Sequence, residues 1–246
     1  MAGIVRRIKA ETPLAVTLSL GERCDEDLAA WREAGADRYL LRLETSNREL
    51  YDRIHPPRPG RSSDRLALLR RLRQIGYEIG SGVMIGIPGQ SYDDLARDIA
   101  LFGQLDLDMI GCGPYLVHPD TPLGDPSFQP LRPEGQQVPA NELTTYKVIA
   151  LSRLTCPRAN IPSTTALATL NRDHGRELGL VRGANVIMPN LTPPKYRVHY
   201  EIYPNKACIS ETADGCFHCL RGRIESLGRR MGSGRGDSKR ILDFRF

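Results

Sequence analysis

The chain has 246 residues, 40% of them hydrophobic and 26% charged, with a formal net charge of +5; this suits one soluble folded domain, and no apolar run approaches the ~20 residues of a membrane span. The N-terminus MAGIVRRIKAETPLAV has basic residues but no apolar stretch of signal-peptide length, so a cytoplasmic location is expected. From Arg221 onward eight Arg and Lys stand against three Asp and Glu, which accounts for the whole excess; without interleaved aromatics, this tail reads as a solvated end and not a nucleic-acid reader.

Short apolar runs alternate with helical patterns along the chain. LAVTLSL (14–20) predicts a buried strand, followed by a helix from Asp25 with Leu28, Ala29 and Trp31 on one face and Gly35 as its stop. RYLLRLE (38–44) is the second strand, and 45–54 a short helix. Leu68, Leu69, Leu72 and Ile75 form the stripe of the next helix, with Ser62 or Ser63 as cap and Gly76 as stop. GVMIGIPG (82–89) is the third strand; Ser91 and Asp94 then have capping-box spacing ahead of Leu95, Ile99 and Phe102. The fourth strand is DMIGCGPYLV (108–117). The long Pro- and Gly-rich loop 118–140 exceeds the usual connection length. Asn141 caps a helix running to Leu154, ANIPSTT (159–165) is the fifth strand, 166–180 a helix, and GANVIMPN (183–190) the sixth strand.

Six strand-plus-helix units predict a parallel sheet with right-handed crossovers. Polar residues gather just past the strand ends, as at the mouth of a barrel enzyme: Ser19, Glu44, the GIPGQ turn, His118, Thr164 with Thr165, and Asn190. The expected fold is therefore α/β, a partial (β/α) TIM-type barrel with six parallel strands of an expected eight. Residues 1–205 form the barrel part; 206–246 form a Cys-rich segment and the basic tail.

Several residues suggest chemistry. Arg65 opens a helix, where the macrodipole disfavours a cation; it is either an exposed arginine beside Asp64 or one that meets an anion. Arg42 and Glu44 alternate along one strand and point to the side opposite Leu41 and Leu43, as a structural pair or as ligand-binding groups. Thr164 and Thr165 read as helix caps as readily as ligands, and Met188 with Tyr196, Tyr200 and Tyr203 as packing. Cys208, Cys216 and Cys219 form a C-x7-C-x2-C array. Three thiolates suit an iron–sulfur cluster with one open position; zinc with His218 is the less favoured reading, since that histidine sits between two ligands. Cys24, Cys112 and Cys156 have no metal spacing and read as buried apolar residues.

Taken in series, YLLRLETSN, GYEIGSGVMIGIPGQSYDDL, DMIGCGPYLVHPDTPL, NIPSTTAL, GANVIMPN and YPNKACISETADGCFHC resemble the HydE family, the radical S-adenosylmethionine maturases of [FeFe]-hydrogenase. The resemblance implies that a [4Fe–4S] cluster and S-adenosylmethionine yield a 5′-deoxyadenosyl radical. It places Ser19, Glu44 and Arg65 on the cofactor, with Glu44 holding the methionine amine and Arg65 its carboxylate. It implies a small-molecule or iron-complex substrate pocket of Arg42, Thr164, Thr165, Met188, Tyr200 and Tyr203. Cys208, Cys216 and Cys219 match an accessory iron–sulfur cluster, and the partners it implies are hydrogenase maturation proteins. Biotin synthase or methylornithine synthase-like enzymes are the nearest alternative, and a non-catalytic iron–sulfur scaffold a further one. The family's C-x3-C-x2-C loop is not among these residues. The chain starts where the third barrel strand is expected, so roughly two βα units, on the order of 60 residues, are missing by this reading. The chain as given is then expected neither to hold the catalytic cluster nor to generate the radical.

Overall fold

The computed structural model describes residues 1–55, 63–125, 127, 133, 135–197, 199, 200, 202–208 and 210–238. Helix α1 (Ala2–Glu11) leads into strand β1 (Thr17–Leu18), α2 (Asp25–Glu33) into β2 (Arg38–Leu40), and α3 (Arg48–Ile54) with α4 (Arg65–Ile75) into β3 (Glu78–Ile85). Then come α5 (Tyr92–Gln104), β4 (Met109–Pro114), α6 (Glu142–Thr155), α7 (Thr165–Leu170), α8 (Gly175–Val181), α9 (Pro194–Arg197) and α10 (Ala213–Glu225).

β1 to β4 lie side by side in chain order, all parallel. The expected fifth and sixth strands continue that order through single parallel bridges, Met109 to Asn160 and Pro162 to Val186. Pro162 has no N–H to give a ladder, and the Ile161 N–H donates instead to the Asn185 side chain at 2.8 Å. The pairing thus advances one strand per unit, the α/β arrangement expected from the sequence. β3 and β4 approach closely: a Cβ on Gly82 would stand 1.9 Å from the Gly111 carbonyl oxygen, so only glycine fits there.

The helices form as their patterns direct. Leu69 and Leu72 of α4 are fully buried, as is Phe102 of α5, and Ser91 with Asp94 closes the expected capping box. Four local expectations are corrected. Asp64, not Ser63, caps α4 by accepting from the Ala67 N–H, since Ser63 turns to Glu22; Ser62 lies outside the described residues. Cys24, not Asp25, is the N-cap of α2, and it is exposed, not buried. The helix expected over 166–180 is two: the Asn171 side chain accepts from the His174 N–H at 2.9 Å and breaks the run before α8. Helix α1, which buries Val5, had not been expected. Part of the loop over 118–140 lies outside the described residues; at its end Gln137 bridges Ser91 and Val138 is buried.

Up to Ser238, the last described residue, the basic tail is docked, contrary to the solvated end expected from composition. Arg38 at the start of β2 binds Glu78 at 2.7 Å and also the Arg235 carbonyl and the Asp237 carboxylate. Arg235 reaches Asp37, Asn160 donates to the Gly236 carbonyl, and the Ser238 N–H donates to Glu78. The tail thereby ties together the N-terminal ends of β2 and β3, opposite the end where the polar residues gather.

Candidate functional site

The strand after Leu40 carries a bulge. Leu40 pairs with Gly80 and Glu44 bridges Val83, so three residues, Arg42 among them, oppose two on β3. Bulges of this kind re-aim side chains beside active sites. Glu44 closes it with a left-handed φ of 66°, a conformation non-glycine residues adopt at a cost. Leu41 and Leu43 go into the core, while Arg42 Nη2 and Glu44 Oε2 meet at 3.2 Å. The two charges share a side, as alternation had suggested, but the bulge and not a regular strand puts them there.

That pair is incompletely satisfied. Arg42 Nη2 donates to the Val83 carbonyl at 2.6 Å, but Arg42 Nε and Glu44 Oε2 have no hydrogen-bond partner. The contact between the two side chains is ionic without hydrogen-bond geometry. Burial pushes the Glu44 carboxyl up, against the opposing charges of Arg42 and Arg65.

Arg65 reaches the same place from the start of α4. Its Nη1 donates to the Arg42 carbonyl at 2.6 Å and its Nε to Glu22 at 2.9 Å, with the guanidinium over the Tyr51 ring. It is therefore not the exposed arginine beside Asp64 that composition allowed. Burial raises the Glu22 carboxyl, but hydrogen bonds from Arg65, Ser63 and Tyr51 outweigh this and hold it below the usual range. His55 stacks on Tyr51 at 4.4 Å, and burial and the Arg65 charge lower its pKa. Ser19 is exposed just past β1, and no hydrogen bond among the described residues joins it to Glu44 or Arg65. Glu22, Tyr51, Ser63 and His55 were missed from sequence; only Glu22, a charge just past a strand end, followed the rule that found Ser19.

A second feature is a cavity of about 200 Å³ lined by Thr165, Met188 and Tyr200 of the expected substrate set, together with Arg176, Asn190 and Cys208. Tyr203 of that set is not among the lining residues; it lies within electrostatic reach of both Arg176 and Arg42, and burial raises its pKa. Thr164 caps α7 by accepting from the Leu167 N–H at 3.3 Å, the reading its position allowed. Arg176 and Asn190 add polar groups to a lining that also includes Arg197 and Lys206; Asn190 was legible as a strand-end polar residue, Arg176 in mid-helix was not. The GIPGQ turn offers no free amides at Gly86 and Gly89, which donate to Gln90 and Gln137.

The three-cysteine array is not assembled as a metal site. Among the described residues no group of three or more His, Cys, Asp or Glu is placed to hold a metal ion. Cys216 is buried on α10 and Cys219 exposed three residues on. Cys208 lies near enough to Cys216 to feel its charge, but its Sγ is 3.6 Å from Arg176 Nη2. Burial raises the Cys208 thiol, against the lowering effect of Arg176. Cys112 and Cys156 are buried as expected, both thiols pushed up to about 11 by burial.

Residues 2–102 match the Radical SAM superfamily. The chain is similar to the [FeFe] hydrogenase maturase subunit HydE of Thermotoga maritima, 43% identical over 99% of this chain and 66% of that protein. It is also similar to the 3-methylornithine synthase of Methanosarcina barkeri, 29% identical over 77% of this chain and 49% of the relative. The chain thus spans between about half and two thirds of the length of these relatives. Among solved structures, methylornithine synthase superposes with a TM-score of 0.73 over 94% of this chain and 63% of its own, at 24% identity. The hydrogenase maturase HydG does so with a TM-score of 0.63 over 93% of this chain and 48% of its own, at 18% identity. These two likenesses establish a shared fold.

Proposed function

The chain belongs to the HydE family of the radical SAM superfamily, and from that membership we propose that its site binds the amino-acid end of S-adenosylmethionine in the service of [FeFe]-hydrogenase maturation. The single observation that carries this is Glu44 Oε2, buried in ion contact with Arg42 and within the field of Arg65 but without a hydrogen bond. A buried carboxylate oxygen that accepts no hydrogen bond costs free energy unless a donor arrives, and a ligand ammonium group is such a donor. Arg65, which opens α4 and already holds one carboxylate, Glu22, has the charge and fork geometry for the ligand's carboxylate.

Family members use S-adenosylmethionine together with a [4Fe–4S] cluster, which supplies the electron that breaks a carbon–sulfur bond. The 246 residues contain no C-x3-C-x2-C spacing, so the cysteines of this chain do not fit that cluster. What the chain supplies is orientation: two fixed charges would hold the ammonium and carboxylate ends of one ligand in a set geometry. The cavity, with Thr165, Met188 and Tyr200 in its lining, suits a small substrate or iron complex. Arg42 is in contact with Glu44 and within electrostatic reach of Tyr203.

Titration calorimetry with S-adenosyl-L-homocysteine, which carries the same amino-acid end, tests the reading. Glu44→Gln keeps the shape and removes the charge, and is expected to weaken binding by about tenfold or more, the worth of one charge-assisted hydrogen bond. Equal affinity in the variant would remove Glu44 from the site.

A further inference from the structure

Glu44 needs outside support for the conformation in which it serves the site. Its φ of 66° is left-handed, and a non-glycine residue keeps such a backbone only where its surroundings impose it. On one side β3 does so: the Glu44 N–H donates to the Gly82 carbonyl at 3.0 Å, and the Glu44 carbonyl accepts from the Met84 N–H at 3.3 Å. Beyond Glu44 the chain leaves the sheet for α3, and there α5 takes over. The Ser46 N–H donates to Asp98 Oδ1 at 2.6 Å, while the side chain of Asn47, the N-cap of α3, donates to Asp94 at 2.9 Å. Thr45 between them is buried.

Asp98 is a costly residue for that place. It is 1% exposed, its Oδ2 accepts no hydrogen bond, and burial pushes its carboxyl up to about 6. A buried carboxyl with one oxygen unsatisfied costs stability, so packing does not account for it. Its one backbone contact in the site does: it fixes the chain two residues after Glu44. Direct electrostatics between the two carboxyls does not enter, because the charges that act on Glu44 are those of Arg42 and Arg65. Whatever Asp98 does to Glu44 passes through the backbone.

We propose that Asp98 is a positioning residue of the cofactor site: by accepting the Ser46 N–H it holds the backbone over 44–46, and so keeps the Glu44 carboxylate beside Arg42, where a ligand's ammonium group would meet it. Without that bond the left-handed residue has support from β3 alone, its φ relaxes, and the side chain moves from its buried place toward water. The role in ligand binding rests on the cofactor reading of Glu44. The placing of Glu44 by Asp98 does not.

Two measurements on the full chain test this. The first uses no ligand: NMR of the carboxyl carbon follows the titration of Glu44 in the unsubstituted chain, in Asp98→Asn, which keeps an acceptor for Ser46, and in Asp98→Leu, which has none. Burial raises the Glu44 carboxyl in the unsubstituted chain. In D98L its ionisation constant should rise about tenfold, toward that of an ordinary glutamate, and D98N should titrate as the unsubstituted chain does. A D98L titration like that of the unsubstituted chain, or a D98N titration like that of D98L, overturns the proposal. Asp98→Ala carries the same expectation, so this arm stands if D98L does not fold. The second is calorimetry with S-adenosyl-L-homocysteine at neutral pH. D98L should weaken binding about tenfold and D98N less than about threefold. In a chain already carrying E44Q, D98L should add nothing, since a residue that acts only through the Glu44 charge has no further effect once that charge is gone. Equal weakening with and without E44Q makes Asp98 a general support of the fold and overturns the role. If the unsubstituted chain does not bind the ligand, the cofactor reading falls, and the NMR titration still decides whether Asp98 places Glu44.

Discussion

Arg42 Nη2 and Glu44 Oε2 lie 3.2 Å apart across a one-residue bulge, yet neither Arg42 Nε nor Glu44 Oε2 has a hydrogen-bond partner. A pair built for stability alone would satisfy its remaining donors and acceptors, since that is what offsets the desolvation of two charges. This one leaves two of them without a hydrogen bond. Arg65, bonded to the Arg42 carbonyl, adds the third charge.

Glu22 occupies the guanidinium that a ligand carboxylate would use. Glu22→Gln keeps the shape but weakens that internal competitor, so carboxylate ligands should bind more tightly, by up to about tenfold. Calorimetry with S-adenosyl-L-homocysteine reads this directly; weaker binding in E22Q would mean that Glu22 positions Arg65 and does not compete for it. Because the Glu22 carboxyl is held below its ordinary value, its contribution to stability is present above about pH 4.5 and is lost as pH falls through the depressed value.

Asp98 acts in the opposite sense. Burial pushes its carboxyl up to about 6, although one oxygen accepts from the Ser46 N–H. The folded state therefore holds this proton more tightly than the unfolded chain. Its stabilising effect is complete below about pH 4 and is lost as pH rises through about 6, a change of about 3 kcal/mol. Asp98→Asn, which retains an acceptor for Ser46, should flatten that part of the stability profile in urea unfolding measured from acid to neutral pH. An unchanged profile would assign the titration elsewhere, with Asp108, also pushed up to about 6 by burial, next in line.

Removing the residues after Arg230 should lower thermal stability, because Arg38 and Asn160 lose their tail partners. The expected loss is about 1–3 kcal/mol, that of a few hydrogen bonds including charged ones. A melting temperature within a degree of the full chain would show the tail contacts to be neutral.

The order of strands and helices was legible because each unit announces itself locally: an apolar run, a cap, a stripe such as Leu68, Leu69, Leu72 and Ile75, then Gly76. The charged face of Arg42 and Glu44 was legible from period-two alternation. The bulge that brings them into contact was not, because an unpaired residue depends on the register with β3 and leaves no mark in β2 alone. Arg65 was noticed for an awkward place in its helix, and its partner Glu22 is 43 positions away in sequence. The spacing of Cys208, Cys216 and Cys219 pointed to one array. Spacing says nothing of direction, however, and the Cys208 Sγ accepts from Arg176 Nη2 at 3.6 Å. The basic tail looked solvated because composition counts charges without locating Arg38, Glu78 and Asp37 against them.

The most direct test of the central claim is a crystal structure of this chain with S-adenosyl-L-homocysteine. The account predicts the ligand's ammonium group on Glu44 Oε2 and its carboxylate on the Arg65 guanidinium, with Glu22 displaced or shared. An amino-acid end seated elsewhere, with Glu44 Oε2 still accepting no hydrogen bond, would contradict it.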